Sequence, residues 1–245
     1  MSVFVISDLH LSTNISTGKS MEKFGDRWKN YTQKIRKNWN AVVSENDTVV
    51  IPGDISWASS LTEAESDLSF INMLNGKKVL GKGNHDYWWT TSKKMNDFFA
   101  EKGFTTMSLL YNNAYIVDRY VICGTRGWFP DEYRQIATEN TDCKKIINRE
   151  AIRLKISLDC AVKLQSQHFD RTGVRPDILV FLHFPVVLGD FAISEFLDVL
   201  KNYNIEKCFY GHIHNNYSLP RIINYENIGF ILTSSDFLNF YPLKI

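Results

Sequence analysis

Five short polar segments hold most of the chemistry in this 245-residue chain: Asp8-Leu9-His10, Gly53-Asp54, Gly83-Asn84-His85-Asp86, His183 and Gly211-His212-Ile213-His214. Together they contain five of the six histidines. Four imidazoles (His10, His183, His212, His214), two carboxylates (Asp8, Asp54) and the Asn84 amide, with no thiolate, form a nitrogen and oxygen ligand set suited to Mn, Fe, Zn or similar ions. That is too many donors for one tetrahedral ion. Two metals about 3.5–4 Å apart and bridged by a carboxylate would use them all. Such a pair acidifies a bridging water and neutralises phosphate oxygens, so that a hydroxide can attack phosphorus in line with its leaving group. The sixth histidine, His168, lies beside Asp170 and Arg171 and reads as a surface or satisfied core residue.

Each polar segment follows an apolar run, which places it at the C-terminal end of a strand, where open α/β sheets carry their ligand sites. VFVIS (3–7), TVVIPGD (48–54) and KVLGKGN (78–84) read as strands, and the longer helical patterns between them indicate parallel β-α-β units. The first helix is expected over 26–44, from the spacing of Trp28, Tyr31, Ile35, Trp39 and Val42. Others should open at Thr62 and near Ser92. AYIVDRYVICGT (114–125) predicts a hairpin turning at Asp118 and Arg119, followed by a long helix over 143–167 with Ile147, Ala151, Leu154, Leu158 and Ala161 on one face. Strands at 177–184 and 207–214 flank a helix containing Phe196 and Leu200, and the tail from Leu219 to Ile245 alternates like a set of edge strands. No linker or repeat divides the chain, so one α/β domain of mixed sheet over 1–245 is expected.

The 28 basic and 27 acidic residues leave a net charge of +1, which supplies no global field to recruit nucleic acid or an anionic membrane. No apolar stretch approaches the roughly 20 residues of a membrane helix. Cys123, Cys143, Cys160 and Cys208 form no C-x-x-C pair and read as idle thiols in a reducing, cytoplasmic compartment. STGKS (16–20) lacks the first glycine of a nucleotide-binding loop, because position 13 is Thr. Lys34, Arg36 and Lys37 read as the solvated face of an amphipathic helix.

In this order, the five segments resemble the motifs of the calcineurin-like metallophosphoesterase superfamily, and the likeness spans residues 8 to 214. The resemblance implies two packed mixed β-sheets flanked by helices. It implies one metal held by Asp8, His10 and His214, another held by Asn84, His183 and His212, and Asp54 bridging them. By the same likeness His85 would be a non-ligand general acid that protonates the leaving oxygen, with Asp86 orienting it. The implied activity is hydrolysis of a small phosphate monoester or diester with two metal ions (Mn, Fe, Zn or Ni), by a hydroxide bridging them. A non-catalytic metal-binding module of the same fold and a nuclease are the alternatives.

The superfamily's Ser/Thr protein phosphatases carry a downstream Asp-Arg after Gly-Asp, whereas here Asp54 is followed by Ile-Ser-Trp-Ala. The chain looks more like bacterial-type phosphohydrolases with GDISWA and GNHDYWW. Arg126, in GTRGW (124–128), is a candidate replacement clamp for phosphate oxygens. Tyr87, Trp88 and Trp89 either lock the turn after His85 or, with Trp57 and Trp128, provide a ring that stacks on the leaving group. Trp57 and Tyr87 are the stacking candidates.

Overall fold

The computed structural model describes residues 1–14, 18–129 and 143–245, so part of the STGKS segment lies outside the described residues. Two mixed sheets pack face to face. The first contains β1 (Val3–Val5), β2 (Thr48–Pro52), β3 (Lys77–Gly81), β4 (Met107–Leu109) and β13 (Leu243–Lys244), in the order β13-β1-β2-β3-β4. The second contains β5 (Ala114–Val117), β6 (Tyr120–Thr125), β7 (Asp177–Leu182), β10 (Lys207–Tyr210), β11 (Ile222–Tyr225) and β12 (Ile228–Leu232), in the order β11-β12-β10-β7-β6-β5. A separate hairpin pairs β8 (Val187–Leu188) with β9 (Phe191–Ala192). Both large sheets have a parallel centre. In each, antiparallel pairing is confined to edges: β13 on β1 in the first, β11 on β12 and β5 on β6 in the second.

Strand period explains why these runs are apolar on both faces. Val3, Val5, Val50 and Val79 of the first sheet meet Ile122, Leu179, Phe181, Phe209 and Ile231 of the second in a core between the sheets. Their neighbours Phe4, Val49, Ile51 and Leu80 point the other way, into a core shared with α1 (Tyr31–Val42), α2 (Glu65–Asn72) and α3 (Ser92–Glu101). Val121, Cys123, Val180, Leu182, Cys208 and Tyr210 likewise face α4 (Cys143–Thr172) and α5 (Ser194–Asn202). Cys123 and Cys208 are free, buried thiols whose pKa is pushed up by burial. No helix among the described residues is long and apolar enough to cross a membrane.

Several expected boundaries move. The helix expected over 26–44 is a 3-10 turn at Asp26–Trp28 and then α1, because Asn30 adopts a left-handed backbone (φ 53°) between them. Val42 is consequently 40% exposed, while Val43 is buried instead. α2 begins three residues after Thr62, α3 begins at Ser92 under a Thr91 cap, and α4 runs five residues past Gln167. The strands expected at 78–84, 177–184 and 207–214 stop earlier, so Asn84, His183, His212 and His214 sit on the following loops. β12 is interior to its sheet, not an edge strand, since it lies between β10 and β11. Lys34 is not wholly solvated: its ammonium donates to the Arg27 carbonyl at 2.7 Å.

Candidate metal centre

The C-terminal ends of β1, β2, β3, β7 and β10 converge, and hydrogen bonds between their loops extend the strand pairing into the site. The N–H groups of Asp8 and His10 donate to the carbonyls of Gly53 and Asp54 at 3.0 and 2.9 Å. The Gly211 N–H donates to the His183 carbonyl at 3.0 Å. Asp8, His10, Asp54 and His212 all adopt positive φ, at 58°, 44°, 51° and 69°. Left-handed backbone disfavours residues with a β-carbon and concentrates at functional sites. Four such residues in one cluster mark where the fold accepts strain to aim donors inward.

The loops pack too closely for side chains between them. A β-carbon on Gly83 would lie 2.1 Å from Asp54 Oδ1, and one on Gly211 would lie 2.2 Å from Asp8 Oδ2. Of the three motif glycines, Gly53 also needs positive φ (97°), whereas Gly83 and Gly211 serve by close approach alone.

Two groups of donor atoms result, each lying within 4.8 Å of one another: Asp8 with His10 and His214, and Asp54 with His183 and His212. In the first, His10 Nε2 is 3.0 Å from His214 Nε2, which is 3.3 Å from Asp8 Oδ1. In the second, Asn84 Oδ1 is 2.7 Å from His183 Nε2 and 3.0 Å from His212 Nδ1. Asp54 Oδ2 faces both groups, 3.6 Å from His10 Nε2 and 3.4 Å from His183 Nε2. Ring nitrogens aimed at one another and at carboxylates, on residues that are buried or half-buried, suit cations better than a hydrogen-bonded polar core. His10 Nδ1 is moreover a buried nitrogen with no partner among the described residues.

Electrostatics agree with the donor roles of Asp8, Asp54, His10 and His212, whereas burial would lower His183 but Asp54 raises it above the ordinary imidazole range. Burial opposes ionising Asp8 and Asp54, yet His214 beside Asp8 and His183 beside Asp54 hold both carboxyls well below their ordinary range. Burial pushes His10 and His212 down to about 3, so both are neutral, as ligands must be. His183 Nδ1 lies 3.1 Å from the Pro52 carbonyl and would donate there, leaving Nε2 as the inward acceptor. Burial would lower His214, but Asp8 and Asp236 raise it to about 10.

His85 lies outside both donor groups. Its N–H donates to Asp54 Oδ1 at 2.8 Å, and its ring sits 4.5 Å from Trp57 and 5.5 Å from His10. Asp86 does something the sequence did not suggest. Its oxygens accept N–H groups from Gly83 (2.8 Å), Asp54 (2.9 Å), Ile55 (2.8 Å) and Ser56 (3.2 Å), and the Trp88 indole at 3.0 Å. It ties two ligand loops together. Burial and the Asp54 charge push it up to about 6, while the backbone donors oppose that shift.

The aromatic run divides. Trp88 and Trp89 are core residues, 1% and 7% exposed, whereas Tyr87 is 64% exposed and meets His85 edge-on at 6.3 Å. Trp57, half-buried, stacks on His10 at 4.7 Å and 24°. Arg126 lies 3.7 Å from Glu150 and over the Trp128 ring, and its carbonyl accepts from the His183 N–H at 3.0 Å. Sequence reasoning missed the shell of Thr233, Ser234 and Asp236 after β12. Asp236 Oδ1 is 3.0 Å from His214 Nδ1, and Ser234 Oγ donates to Asp8 Oδ2 at 3.0 Å. A run of small polar residues at a strand end was the available signal.

The family model for calcineurin-like phosphoesterase matches residues 1–216. The chain belongs to the calcineurin-like phosphoesterase family. For a calcineurin-like phosphoesterase, the two Asp/His groups indicate a pair of divalent ions and a metal-dependent hydrolase. Solved structures share the fold of this phosphoesterase at low identity. TT1561 of Thermus thermophilus is 10% identical, with a TM-score of 0.57 over 96% of this chain and 89% of its own. Phosphopantetheinyl hydrolase (PptH) from Mycobacterium tuberculosis is 16% identical, with a TM-score of 0.50 over 95% of this chain and 88% of its own. No curated protein matches the sequence.

Proposed function

We propose that this chain hydrolyses a small phosphate monoester or diester, in which Asp8, His10 and His214 would hold one metal and Asn84, His183 and His212 the other, with Asp54 available to both. The observation that carries this reading is Asp54 Oδ2, which faces an imidazole nitrogen of each group at 3.6 and 3.4 Å. When bound, the ions supply Lewis acidity toward phosphoryl oxygens and acidify water. The all nitrogen and oxygen donor set accommodates Mn, Fe, Zn or Ni.

The chain's own residues do the rest. His85 is fixed through its backbone to Asp54 and through its ring to Trp57, which leaves the imidazole beside the donor groups but outside them. In that place it gives a proton to the ester oxygen as a water-derived oxygen bonds to phosphorus and the ester P–O bond breaks, so that the alcohol leaves neutral and phosphate carries the new oxygen. Asp86 acts on His85 through the loop: it fixes the Gly83–Asp86 turn to the backbone of residues 54–56. Trp57 and Tyr87 flank His85 and would border the leaving group.

Steady-state rates on aryl phosphates test the roles. Asp54→Asn should lower kcat by about a thousandfold or more, and His85→Ala by about 10²–10⁴-fold. The His85→Ala loss should be greatest with poor leaving groups, because a stable phenolate needs no proton. Wild-type rates in both variants would refute the mechanism.

A further inference from the structure

Beside the metal centre lies a cavity of about 220 Å³ whose wall includes Lys82, Arg126, Arg149 and Arg153. Four cations there face one carboxylate, Glu150, which is fully buried. That single charge is shared by three arginines and is hydrogen-bonded by only one of them. Arg153 Nη1 is 2.6 Å from Glu150 Oε1, but Arg126 Nη2 and Arg149 Nε are both 3.7 Å away, beyond hydrogen-bond distance. No carboxylate among the described residues forms an ion pair with Lys82. The cavity also borders Trp89, whose buried indole N–H finds no acceptor among the described residues.

The arrangement is built from both sheets. Arg149 and Arg153 lie one helical turn apart on α4 and share a face. Lys82 precedes Asn84 by two residues on the loop after β3, and the Arg126 carbonyl accepts N–H groups from His183 at 3.0 Å and Phe184 at 3.1 Å. Two walls of the cavity are therefore continuous with two ligand loops. Lys82, Arg126 and Arg153 are half-buried and Arg149 is exposed at the rim; half-buried like charges repel one another in a medium of lowered dielectric, and an anion among them removes that cost. Guanidinium groups present forked donors matched to phosphate oxygens.

We propose that this cavity binds a second phosphate group of the substrate, so that the ester hydrolysed at the metal centre belongs to a molecule carrying two phosphates. The proposal rests on the hydrolase reading above for the fate of the first phosphate. Binding of the second depends only on the four cations.

Calorimetry on the metal-loaded protein, with alkane bisphosphonates of two to six methylenes and the matching alkyl monophosphonates, tests it without turnover. The best bisphosphonate should bind at least about tenfold more tightly than its monophosphonate, since charge-assisted hydrogen bonds are involved. Lys82→Gln and Arg149→Gln should each lower that preference by about tenfold. Both sites are partly exposed, and neither substitution strands Glu150, which Arg153 continues to pair. Lys155→Gln, on the exposed pair with Asp159, should retain the preference. Equal affinity at every spacer length, or a preference surviving in both variants, overturns the proposal. A retained bisphosphonate preference in a protein that hydrolyses no ester would instead overturn the hydrolase reading.

Discussion

The two donor groups are supported in different ways. Around Asp8 and His214 the support is chiefly side chains: Ser7 and Ser234 hydroxyls on Asp8, Asp236 on His214, and the Tyr217 hydroxyl on Asp236 at 3.0 Å, joined by two backbone donors, the His212 N–H on Asp8 and the Asn215 N–H on Asp236, each at 3.0 Å. Around Asp54 and His183 it is backbone: the Pro52 carbonyl at His183 Nδ1, the His85 N–H on Asp54, and four backbone N–H groups gathered by Asp86. A side-chain shell can be altered one atom at a time without moving the chain. A backbone shell changes only when its loop changes, so perturbing it should cost stability and ion binding together.

Three substitutions set that difference against measurement. Asp86→Asn should have the largest effect, because an amide oxygen cannot accept from five N–H groups and its own NH₂ would face donors. Each stranded donor costs about 1–3 kcal/mol. The sum should be about 3 kcal/mol or more in chemical denaturation, with weaker ion binding by the Asp54 group. Asp236→Ala should act on the other group: orienting partners of a ligating histidine typically contribute about 10–100-fold in metal affinity. Elemental analysis across a range of free metal should then show one ion lost well before the other. Ser234→Ala removes one hydrogen bond from Asp8 and should cost about 1 kcal/mol, with both ions retained at saturation. Should Asp236→Ala unfold the protein as much as Asp86→Asn, the two shells are equivalent after all.

The ligands were legible in the sequence because each breaks an apolar run, and a buried strand tolerates such a break only where the strand has ended. Their support was less visible. Asp86 could be placed in the site from its motif, but its partners are main-chain groups that carry no residue signature. Asp236 was hidden because the tail read as edge strands, and only the pairing of β12 with β10 brings residue 236 to His214. Nothing in the sequence singles out Arg149 and Arg153 on the long helix, and only the packing of α4 puts them in one cavity wall with Lys82 and Arg126. Asn30 split the first helix through a left-handed backbone that hydrophobic spacing does not encode. The fold was legible through periodicity, whereas the cavity depended on which helix face met which loop.

The pairing of β13 with β1 and the contacts of Ser234 and Asp236 have a temporal meaning. All seven candidate ligands precede residue 215 in the order of synthesis, yet Ser234 and Asp236, which help to fix Asp8 and His214, lie after residue 232. A nascent chain emerging from the ribosome thus carries every donor before it owns all the groups that aim them. Pairing residue 4 with residue 244 also closes a loop of nearly the whole chain, and contacts of such separation form slowly. The Asp8 and His214 donors therefore reach their final aim only after residues 234 and 236 have been made.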